Sequence, residues 1–341
     1  MRPGNRRVLT VRIALDAMGT DEGPVPEVAG ALSALEALPG LHVILVGDEA
    51  ALSSELSRHP DTLSERLSVV HASERVSPGE APAASVRRKR DSSIAVGLKL
   101  QRDGEAEAFV SAGSTGAVMA ASLLILRALP GVHRPAIGTL LPTAREPVLM
   151  LDSGANVDCK PHHLVQFAHL GHIYAQDLMD RATPRVGLIN IGEESGKGNE
   201  ASAEAHALLA ASALNFIGNV EGREIIKGDI DVLVCDGFVG NTLLKFYESV
   251  AEFIIGMLQR EISASHTKES LDLHEVFQVL DYAEYGGAPL LGVNGVSIIC
   301  HGKSPPKAIR NALGVAVRAV RSNMVAHTER ELSIATASQE A

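Results

Sequence analysis

Cysteine is scarce in this chain of 341 residues. The three cysteines, Cys159, Cys235 and Cys300, are far apart in the sequence and odd in number. They provide neither a disulfide framework nor the closely spaced ligands of a structural zinc site, and this usage favours the reducing cytosol. His162 and His163 lie near Cys159, but no second cysteine completes a ligand spacing there, so we expect no bound metal.

Long apolar runs are also missing. The longest one, from Ala117 to Leu126, ends at Arg127 and is well short of the roughly 20 residues that a membrane-spanning helix needs. Near the N-terminus, Arg12 and Asp16 interrupt the apolar stretch before it could serve as a signal peptide. The sequence therefore predicts a cytoplasmic protein without a spanning helix.

Positive charge is in the minority, with 31 Lys and Arg against 41 Asp and Glu and a net charge of −10. Duplex binding needs a basic footprint, so this balance excludes a general nucleic-acid binder. One basic run, formed by Arg87, Arg88, Lys89 and Arg90, is a place where an acidic partner could dock. The same run is equally compatible with a solvated helix surface.

Short β-rich apolar runs alternate with longer segments of helical period almost from end to end. Such alternation predicts an α/β protein with a largely parallel sheet. No repeat or long linker divides the chain, so we predict one domain over residues 8–327, with loose polar tails at 1–7 and 328–341. The predicted strands are Val11–Leu15, Val43–Val46, Leu67–Val70, Ala108–Ser111, Val148–Leu151, Val186–Ile191, Val232–Cys235 and Val296–Ile299.

Glycine-rich polar loops follow five of the predicted strands. Ligands of a parallel sheet bind beyond the carboxyl ends of its strands, so these loops are expected to hold the site. Glycines let backbone N–H groups approach an anion, and a helix N-terminus adds partial positive charge, which makes phosphate a natural ligand. For any single loop, an ordinary tight turn with a Ser or Asn cap explains the pattern equally well. The loops are Asp16–Gly19, Ser111–Gly116, Asp152–Lys160, Gly192–Glu200 and Asp236–Asn241.

A nicotinamide-dependent dehydrogenase is the sharpest rival hypothesis. Residues Gly196 to Ala201 fit the dinucleotide fingerprint G-x-G-x-x-A and follow a predicted strand. However, Glu193 and Glu194 bring negative charge to the place where a pyrophosphate would approach, and Gly192 separates the strand from the fingerprint. The pattern therefore favours an anion loop of another kind.

The spacing H-x-x-x-x-D, familiar from glycerolipid acyltransferases, occurs at His172 and Asp177. The segment from His162 to Asp180 reads as one continuous helix, on which five residues place these two side chains roughly 140° apart. They cannot act together as a base and its orienting acid. No G-x-S-x-G elbow is present either, so a covalent serine enzyme is not supported.

Several strings are specific enough to compare with known families: Ala14–Gly19, Ser111–Gly116, Gly154–Pro161, Asn190–Glu194, Gly196–Glu200, Asn215–Gly222, Cys235–Asn241 and Tyr285–Val293. In these strings the sequence closely resembles the bacterial phosphate acyltransferases of phospholipid synthesis, which convert acyl-acyl carrier protein and phosphate to acyl phosphate. The resemblance runs from Val11 to Val320. It departs from the family at Ser114, where asparagine is common, at Ser153, where an apolar residue is usual, and at Thr20, where a second glycine is usual.

The resemblance implies a three-layer α/β/α fold related to phosphate acetyltransferases and isocitrate dehydrogenase-type enzymes. It also implies a homodimer, no cofactor, acyl carrier protein and inorganic phosphate as substrates, a peripheral membrane contact and a downstream glycerol-3-phosphate acyltransferase. Phosphate itself attacks the thioester in this reaction, so the protein needs only to bind a dianion and stabilise an oxyanion. An acyl-coenzyme A donor would fit the same cleft, and a non-catalytic scaffold for lipid synthesis remains a further alternative.

Lys197 is our candidate for the charge that holds phosphate or the oxyanion, with Asn241 as a neutral donor beside it. Asp16 and Asp236 are expected to fix loops by accepting backbone N–H groups. The basic run is the expected docking patch for the acidic carrier. The other predicted substrate-binding residues are Gly19, Ser111, Gly113, Ser114, Thr115, Asn156, Asp158, Lys160 and Asn199.

A second apolar pattern lies between Leu243 and Ile262, which read as a helix. Phe253 and Ile255 fall outside its core stripe and broaden the apolar face. Two explanations fit this pattern. The helix packs against protein on two sides, for example at a dimer contact, or its apolar face contacts a bilayer. The predicted core stripe comprises Leu243, Phe246, Tyr247, Val250, Ile254, Met257 and Leu258.

Overall fold

The computed structural model describes residues 10–59, 65–77, 79–264 and 284–340. Internal contacts divide the chain into two compact units, which we call the first unit (up to Pro135 and again from Tyr285) and the second unit (Ala136–Glu284). The sequence prediction treated residues 8–327 as one domain. The chain passes from Pro135 directly to Ala136, so no linker composition marks that boundary.

The elements of the described residues alternate between strand and helix along most of the chain. In order they are β1 (Val11–Asp16), α1 (Val25–Ala37), β2 (Leu41–Gly47), α2 (Glu49–Leu56), β3 (Leu67–His71), α3 (Pro82–Arg88), α4 (Ser93–Arg102), β4 (Ala108–Ser111), α5 (Thr115–Ile125), β5 (Ala136–Leu141), β6 (Val148–Leu151), α6 (Pro161–Leu178), β7 (Val186–Ile189), α7 (Glu200–Ala210), β8 (Phe216–Val220), a 3₁₀ helix (Gly222–Lys227), β9 (Val232–Val234), α8 (Gly237–Ala264), β10 (Ala288–Leu291), β11 (Val296–Ile299), α9 (Pro306–Arg321) and α10 (Met324–Glu340).

The strands of the first unit lie in the order β3-β2-β1-β4-β11-β10. All pairs are parallel except β10 with β11. Asp16 at the end of β1 pairs in register with Ser111 at the end of β4, and Ser111 pairs with Ile299 of β11. The carboxyl ends of the central strands therefore meet at one edge, where the loops of β1 and β4 begin.

The second unit orders its strands β5-β6-β9-β7-β8, and only β5 with β6 is antiparallel. One row of paired residues crosses β6, β9 and β7 at Leu151, Val234 and Leu188. These three side chains are at most 1% exposed, so the strand ends are anchored in the core of the unit. The loops that follow begin at a common edge.

The predicted α/β class with largely parallel pairing is confirmed, and all eight predicted strands are present. Sequence reasoning missed β5, β8 and β10. β8 contains Gly218 at a φ of 99°, and its pairing with β7 shifts register. β5 and β10 are the antiparallel partners of β6 and β11, and they contain Gly138 and Pro289, residue types that are depleted in strands.

The C-terminal segment differs from the loose tail predicted for residues 328–341. Helix α10 continues to Glu340, and Thr328 and Leu332 are only 6% and 5% exposed. Two side chains four residues apart are enough to dock one helical face, although the segment is too polar to show a clear apolar period. Residues 1–7, the other predicted tail, lie outside the described residues.

Helix α8 follows the predicted core stripe only in part, since Leu243, Tyr247, Val250 and Leu258 are partly buried and the other three members are exposed. Phe246, Ile254 and Met257, which were predicted for the core, are 69%, 38% and 48% exposed, so that prediction is wrong. Phe253 is 66% exposed, and Ile255 is partly buried. The helix has apolar residues around much of its circumference, and its period alone could not choose the covered part. Among the described residues, no helix is long and apolar enough to cross a membrane.

Candidate active site

A buried aspartate organises the loop after β6 in the second unit. The Asp152 carboxylate accepts hydrogen bonds from the backbone N–H groups of Ile137 at 2.9 Å, Ala155 at 3.2 Å and Asn156 at 2.6 Å. The side-chain amide of Asn156 donates to it as well, at 3.0 Å. Burial raises the pKa of Asp152, although these hydrogen bonds oppose the shift. The carboxylate holds the loop in shape from inside.

The start of α8 rests directly on this loop. Asp236 caps the helix by accepting from the backbone N–H of Val239 at 2.8 Å, the kind of contact expected of it. The Gly237 N–H donates to the Asn156 carbonyl at 2.7 Å. A side chain at Gly240 would collide with the Asp152 carbonyl, so glycine permits this close approach.

Asn241 lies over the same loop, with its side chain 3.4 Å from the position that a Cβ of Gly154 would take. Asp158 adopts a left-handed backbone with φ of 55°, which Asp tolerates better than most residues. Lys160 precedes α6, and its backbone N–H donates to His163 Nδ1 at 3.1 Å. Three predicted site residues therefore belong to one surface around the loop after β6.

The Lys197 loop is held at several points. Asn190 Nδ2 donates to the Lys197 carbonyl at 2.9 Å, and Asn199 caps α7 by accepting from the backbone N–H of Ser202 at 2.8 Å. The Lys197 side chain passes Gly192, whose Cβ position would be 3.0 Å from Lys197 Cγ. Lys197 is exposed, and its ammonium makes no ion pair with any described residue. The Glu194 Oε2 atom is also 3.0 Å from the Gly192 Cβ position, so the loop presents a positioned positive charge with a carboxylate in the same neighbourhood.

In the first unit, Asp16 is buried at the end of β1 and accepts from the Ser111 hydroxyl at 2.6 Å and from the Met18 backbone N–H at 3.1 Å. Burial raises the pKa of this carboxyl group. Gly19 lies against the next loop, because its Cβ position would be 2.7 Å from the backbone nitrogen of Gly113. Asp16 thus makes the loop-fixing contacts expected of it.

Ser114 and Thr115 stand at the beginning of α5, next to those two loops. Thr115 is exposed and Ser114 is partly buried, while Ser111 is fully buried. The Ser111 hydroxyl also accepts from the Gly113 N–H at 3.0 Å. The predicted residues of this unit therefore lie around the N-terminus of α5, at the end of β4. A helix N-terminus in such a place is suited to an anion.

The basic run is less uniform than the sequence suggested. Lys89 and Arg88 bind the carboxylate of Glu80 at 2.6 Å and 3.0 Å. The Lys89 contact, followed by hydrogen bonds from the Ser77 N–H and the Ser85 hydroxyl, lowers the Glu80 pKa to about 2. Arg87 and Arg90 are exposed and form no ion pair with described residues. Only those two arginines are available to an acidic partner without breaking an internal contact.

Two thiols are poorly suited to nucleophilic chemistry. Cys235 and Cys300 are buried, and burial raises the pKa of Cys235 well above its usual value and that of Cys300 to about 12. Cys159 is partly buried. Thiolates are thus strongly disfavoured at both buried positions.

Sequence reasoning missed Asp152 and Asn190 as organising residues. Asp152 had a signal, since it directly follows a buried strand and precedes Ser-Gly-Ala-Asn, a sequence suited to an Asx turn. Asn190 also follows a strand, but its bond to Lys197 spans seven residues, which sequence spacing does not reveal. Asn156 and Asn199, predicted to bind substrate, use their side chains to fix loops.

Comparisons with known proteins place the chain in a family. The model of a family described as "Fatty acid synthesis protein" matches residues 11–327. Phosphate acyltransferase from Desulforamulus reducens is 48% identical over 322 residues, which cover 92% of this chain and 95% of that protein. The Heliobacterium modesticaldum phosphate acyltransferase is 50% identical over 328 residues, covering 94% and 98%.

Solved structures support the fold alone. The EutD phosphotransacetylase from Staphylococcus aureus superposes with a TM-score of 0.61 at 17% identity, covering 91% of this chain and 94% of that chain. A phosphotransacetylase from Streptococcus pyogenes gives a TM-score of 0.60 at 15% identity, covering 92% and 94%. From the family match and the identities near one half, the chain belongs to the phosphate acyltransferases and is an acyltransferase enzyme.

Proposed function

We propose that this enzyme moves a fatty acyl group from the thioester of acyl carrier protein to inorganic phosphate, and that the acyl phosphate product serves phospholipid synthesis. Membership of the phosphate acyltransferases supports acyl transfer to phosphate. Beyond the activity of the family, we propose that the acyl donor is bound to acyl carrier protein and that the product enters phospholipid synthesis.

The observation that carries the proposal is the placement of Lys197. Lys197 is exposed and lies just before the N-cap of α7 in the chain, on a loop fixed by Asn190 and Asn199. A lysine and a helix N-terminus together attract a dianion. In the proposed mechanism they hold phosphate against the thioester carbonyl and stabilise the oxyanion that forms there.

The chemistry then requires one nucleophile, and phosphate supplies it. A phosphate oxygen attacks the carbonyl carbon, the tetrahedral intermediate collapses, and the C–S bond breaks to release the carrier thiolate. A thiol has a pKa of about 8.5, so the leaving group needs little help from an acid. The raised pKa values of Cys235 and Cys300 argue against an acyl-cysteine intermediate at those two positions, and replacing Cys159 by Ser is expected to leave transfer largely intact.

Arg87 and Arg90 are the proposed contacts for the acidic carrier. Both are exposed, Arg87 in the last turn of α3 and Arg90 just after the helix. At the other end of α3, Pro82 approaches Gly116 of α5, whose Cβ position would be 2.8 Å from Pro82 Cγ. The docking residues and the anion-binding loop before α5 therefore belong to the same part of the first unit. Opposite charge would steer the carrier toward that loop.

The exposed stripe of α8, formed by Phe246, Phe253, Ile254 and Met257, is the proposed surface for a homodimer contact or a reversible bilayer contact. Exposed apolar patches of this kind commonly mark protein or membrane interfaces. A bilayer contact would bring acyl phosphate close to a downstream glycerol-3-phosphate acyltransferase. Insertion of a few apolar side chains is enough for reversible binding.

The reaction itself is tested by incubating the pure protein with palmitoyl-acyl carrier protein and phosphate, then trapping acyl phosphate as the hydroxamate with hydroxylamine. Hydroxamate that requires phosphate, together with release of the carrier thiol, supports the proposal. A higher kcat/KM with palmitoyl-coenzyme A would replace the proposed donor. Hydroxamate formation that does not depend on phosphate with either donor would overturn acyl transfer to phosphate and favour a scaffold.

A further inference from the structure

Three large apolar side chains of the second unit are exposed to solvent in the segments that follow its strands. Val157 is 56% exposed, Ile191 82% and Phe238 66%, and we call them the apolar trio. Most side chains of this size in the unit's strands are buried. Ligands of parallel sheets bind at the edge where the strands end. A ligand that covers exposed apolar side chains there gains binding free energy by removing them from water.

The trio follows three neighbouring strands. The row of Leu151, Val234 and Leu188 crosses β6, β9 and β7, and one member of the trio follows each of these residues within six positions. Adjacent parallel strands lie about 4.8 Å apart. The three side chains therefore emerge from consecutive loops along one edge of the sheet.

Polar groups of the candidate site are interleaved with the trio. The hydrogen bond from the Gly237 N–H to the Asn156 carbonyl joins the residues next to Phe238 and Val157. Gly192, which follows Ile191, contacts the side chain of Lys197. The edge thus combines a charge for an anion with apolar surface directly beside it.

We propose that the apolar trio receives the hydrocarbon chain of the acyl substrate and sets the preference for chain length. This inference rests on the proposed function. A fatty acyl phosphate has a charged head and an apolar tail, which is the arrangement of Lys197 and the trio. Free phosphate or an acetyl group would leave these three side chains in water, whereas a longer chain covers them.

The probe is a series of alkylphosphonates with two, six and ten carbons, which imitate acyl phosphate and are not hydrolysed. Their dissociation constants are measured by calorimetry on the full-length protein. Each CH₂ buried contributes about 0.8 kcal/mol, or roughly fourfold in the dissociation constant. We expect the affinity of the wild type to rise with chain length. In the double variant Ile191→Ser with Phe238→Ser, the gain in affinity from two to ten carbons should be at least tenfold smaller than in the wild type.

The matched control is Ile226→Ser. Ile226 is 61% exposed in the same unit but lies beside Ala144, in the segment that leads into the amino end of β6. The Ile226→Ser variant should bind every phosphonate of the series with the affinity of the wild type. For the two-carbon phosphonate, the dissociation constants of all variants should be within about twofold of the wild-type value.

The possible outcomes distinguish a failure of the apolar trio as the chain-binding surface from a failure of the proposed function. Wild-type affinity that rises with length, and rises equally in the double variant, would overturn the role of the trio and leave the proposed function standing. Binding of the wild type that does not depend on length would overturn the fatty acyl substrate itself. A lower molar mass of the double variant by light scattering would assign the trio to a contact between copies and would also overturn the inference.

Discussion

The carboxylate of Glu27 accepts two hydrogen bonds from Thr20, one from the backbone N–H at 2.7 Å and one from the hydroxyl at 2.9 Å. Both residues are buried, and Glu27 lies in the first turn of α1. The pair ties this helix to the loop that carries Gly19. Thr20 stands where the family resemblance leads one to expect glycine, so the hydroxyl bond is a feature of this chain.

Glu27 should make the stability of the protein fall with rising pH. Burial raises its pKa from 4.5 to about 7, with a further contribution from the charge of Asp16. The folded state therefore binds the proton more tightly, so the stabilisation is complete below about pH 4.5 and is lost as pH rises to about 7. The loss is on the order of 3 kcal/mol, at about 1.4 kcal/mol per pKa unit.

Urea unfolding at pH 5, 6, 7 and 8 measures this effect. Glu27→Gln should show a flatter dependence of the unfolding free energy on pH than the wild type, because the variant lacks the carboxyl group whose proton the folded state binds more tightly. Glu22→Gln, at an exposed position on the same loop, should follow the wild type. Identical slopes for wild type and Glu27→Gln would assign the dependence to other groups.

Replacing Lys197 by Ala should lower kcat/KM by at least tenfold and leave the unfolding free energy nearly unchanged, because the exposed side chain contributes little packing. Lys227→Ala is the control, since Lys227 is exposed in the same unit and forms a surface ion pair with Glu224 at 3.4 Å. Steady-state rates of acyl phosphate formation check both variants. Near-normal activity of a folded Lys197→Ala enzyme would remove this lysine from the mechanism.

Charge reversal at Arg87 and Arg90 should raise the KM for acyl carrier protein at least fivefold and leave the KM for phosphate within twofold. Screening by added salt should produce the same trend in the wild type. Reversal of Arg310 and Arg318, both exposed on α9, changes net charge equally and should have little effect. Equal effects on both substrates would point to a phosphate-binding role for the run.

Flotation with anionic liposomes tests the exposed stripe of α8. Phe246→Ser with Phe253→Ser removes two side chains that are 69% and 66% exposed, and should reduce the floating fraction severalfold. Ile226→Ser removes a comparable exposed side chain elsewhere in the second unit and should float as the wild type does. A double variant that floats equally well, with an unchanged molar mass, would show that α8 is not the anchor.

Sequence periodicity predicted most of the fold because the central strands are short, fully buried apolar runs. Val148–Leu151 and Ala108–Ser111 were predicted to the residue for that reason. Antiparallel β5 and β10 gave no such signal. Helix α8 shows the limit most clearly, since Phe246 and Leu244 are both apolar but only the structure reveals that Leu244 faces the core.

The sequence located the strand-end loops of Lys197 and Asp236 from the glycines that follow β7 and from the turn that follows β9, and the roles of these two residues stay predictions. The individual roles of site residues depend on contacts between segments that are distant in sequence. The bonds of Asp152 to Ile137 and of Glu80 to Lys89 are examples, and the second removes Lys89 from the group of available cations. Local spacing does not encode such contacts, so the predicted basic run appeared uniform.

Direct transfer to phosphate is tested most simply by initial rates of acyl phosphate formation, with palmitoyl-acyl carrier protein and phosphate both varied. Attack by bound phosphate requires both substrates on the enzyme together, so double-reciprocal lines should intersect. Parallel lines, with an acyl group retained on the protein when phosphate is omitted, would contradict direct transfer.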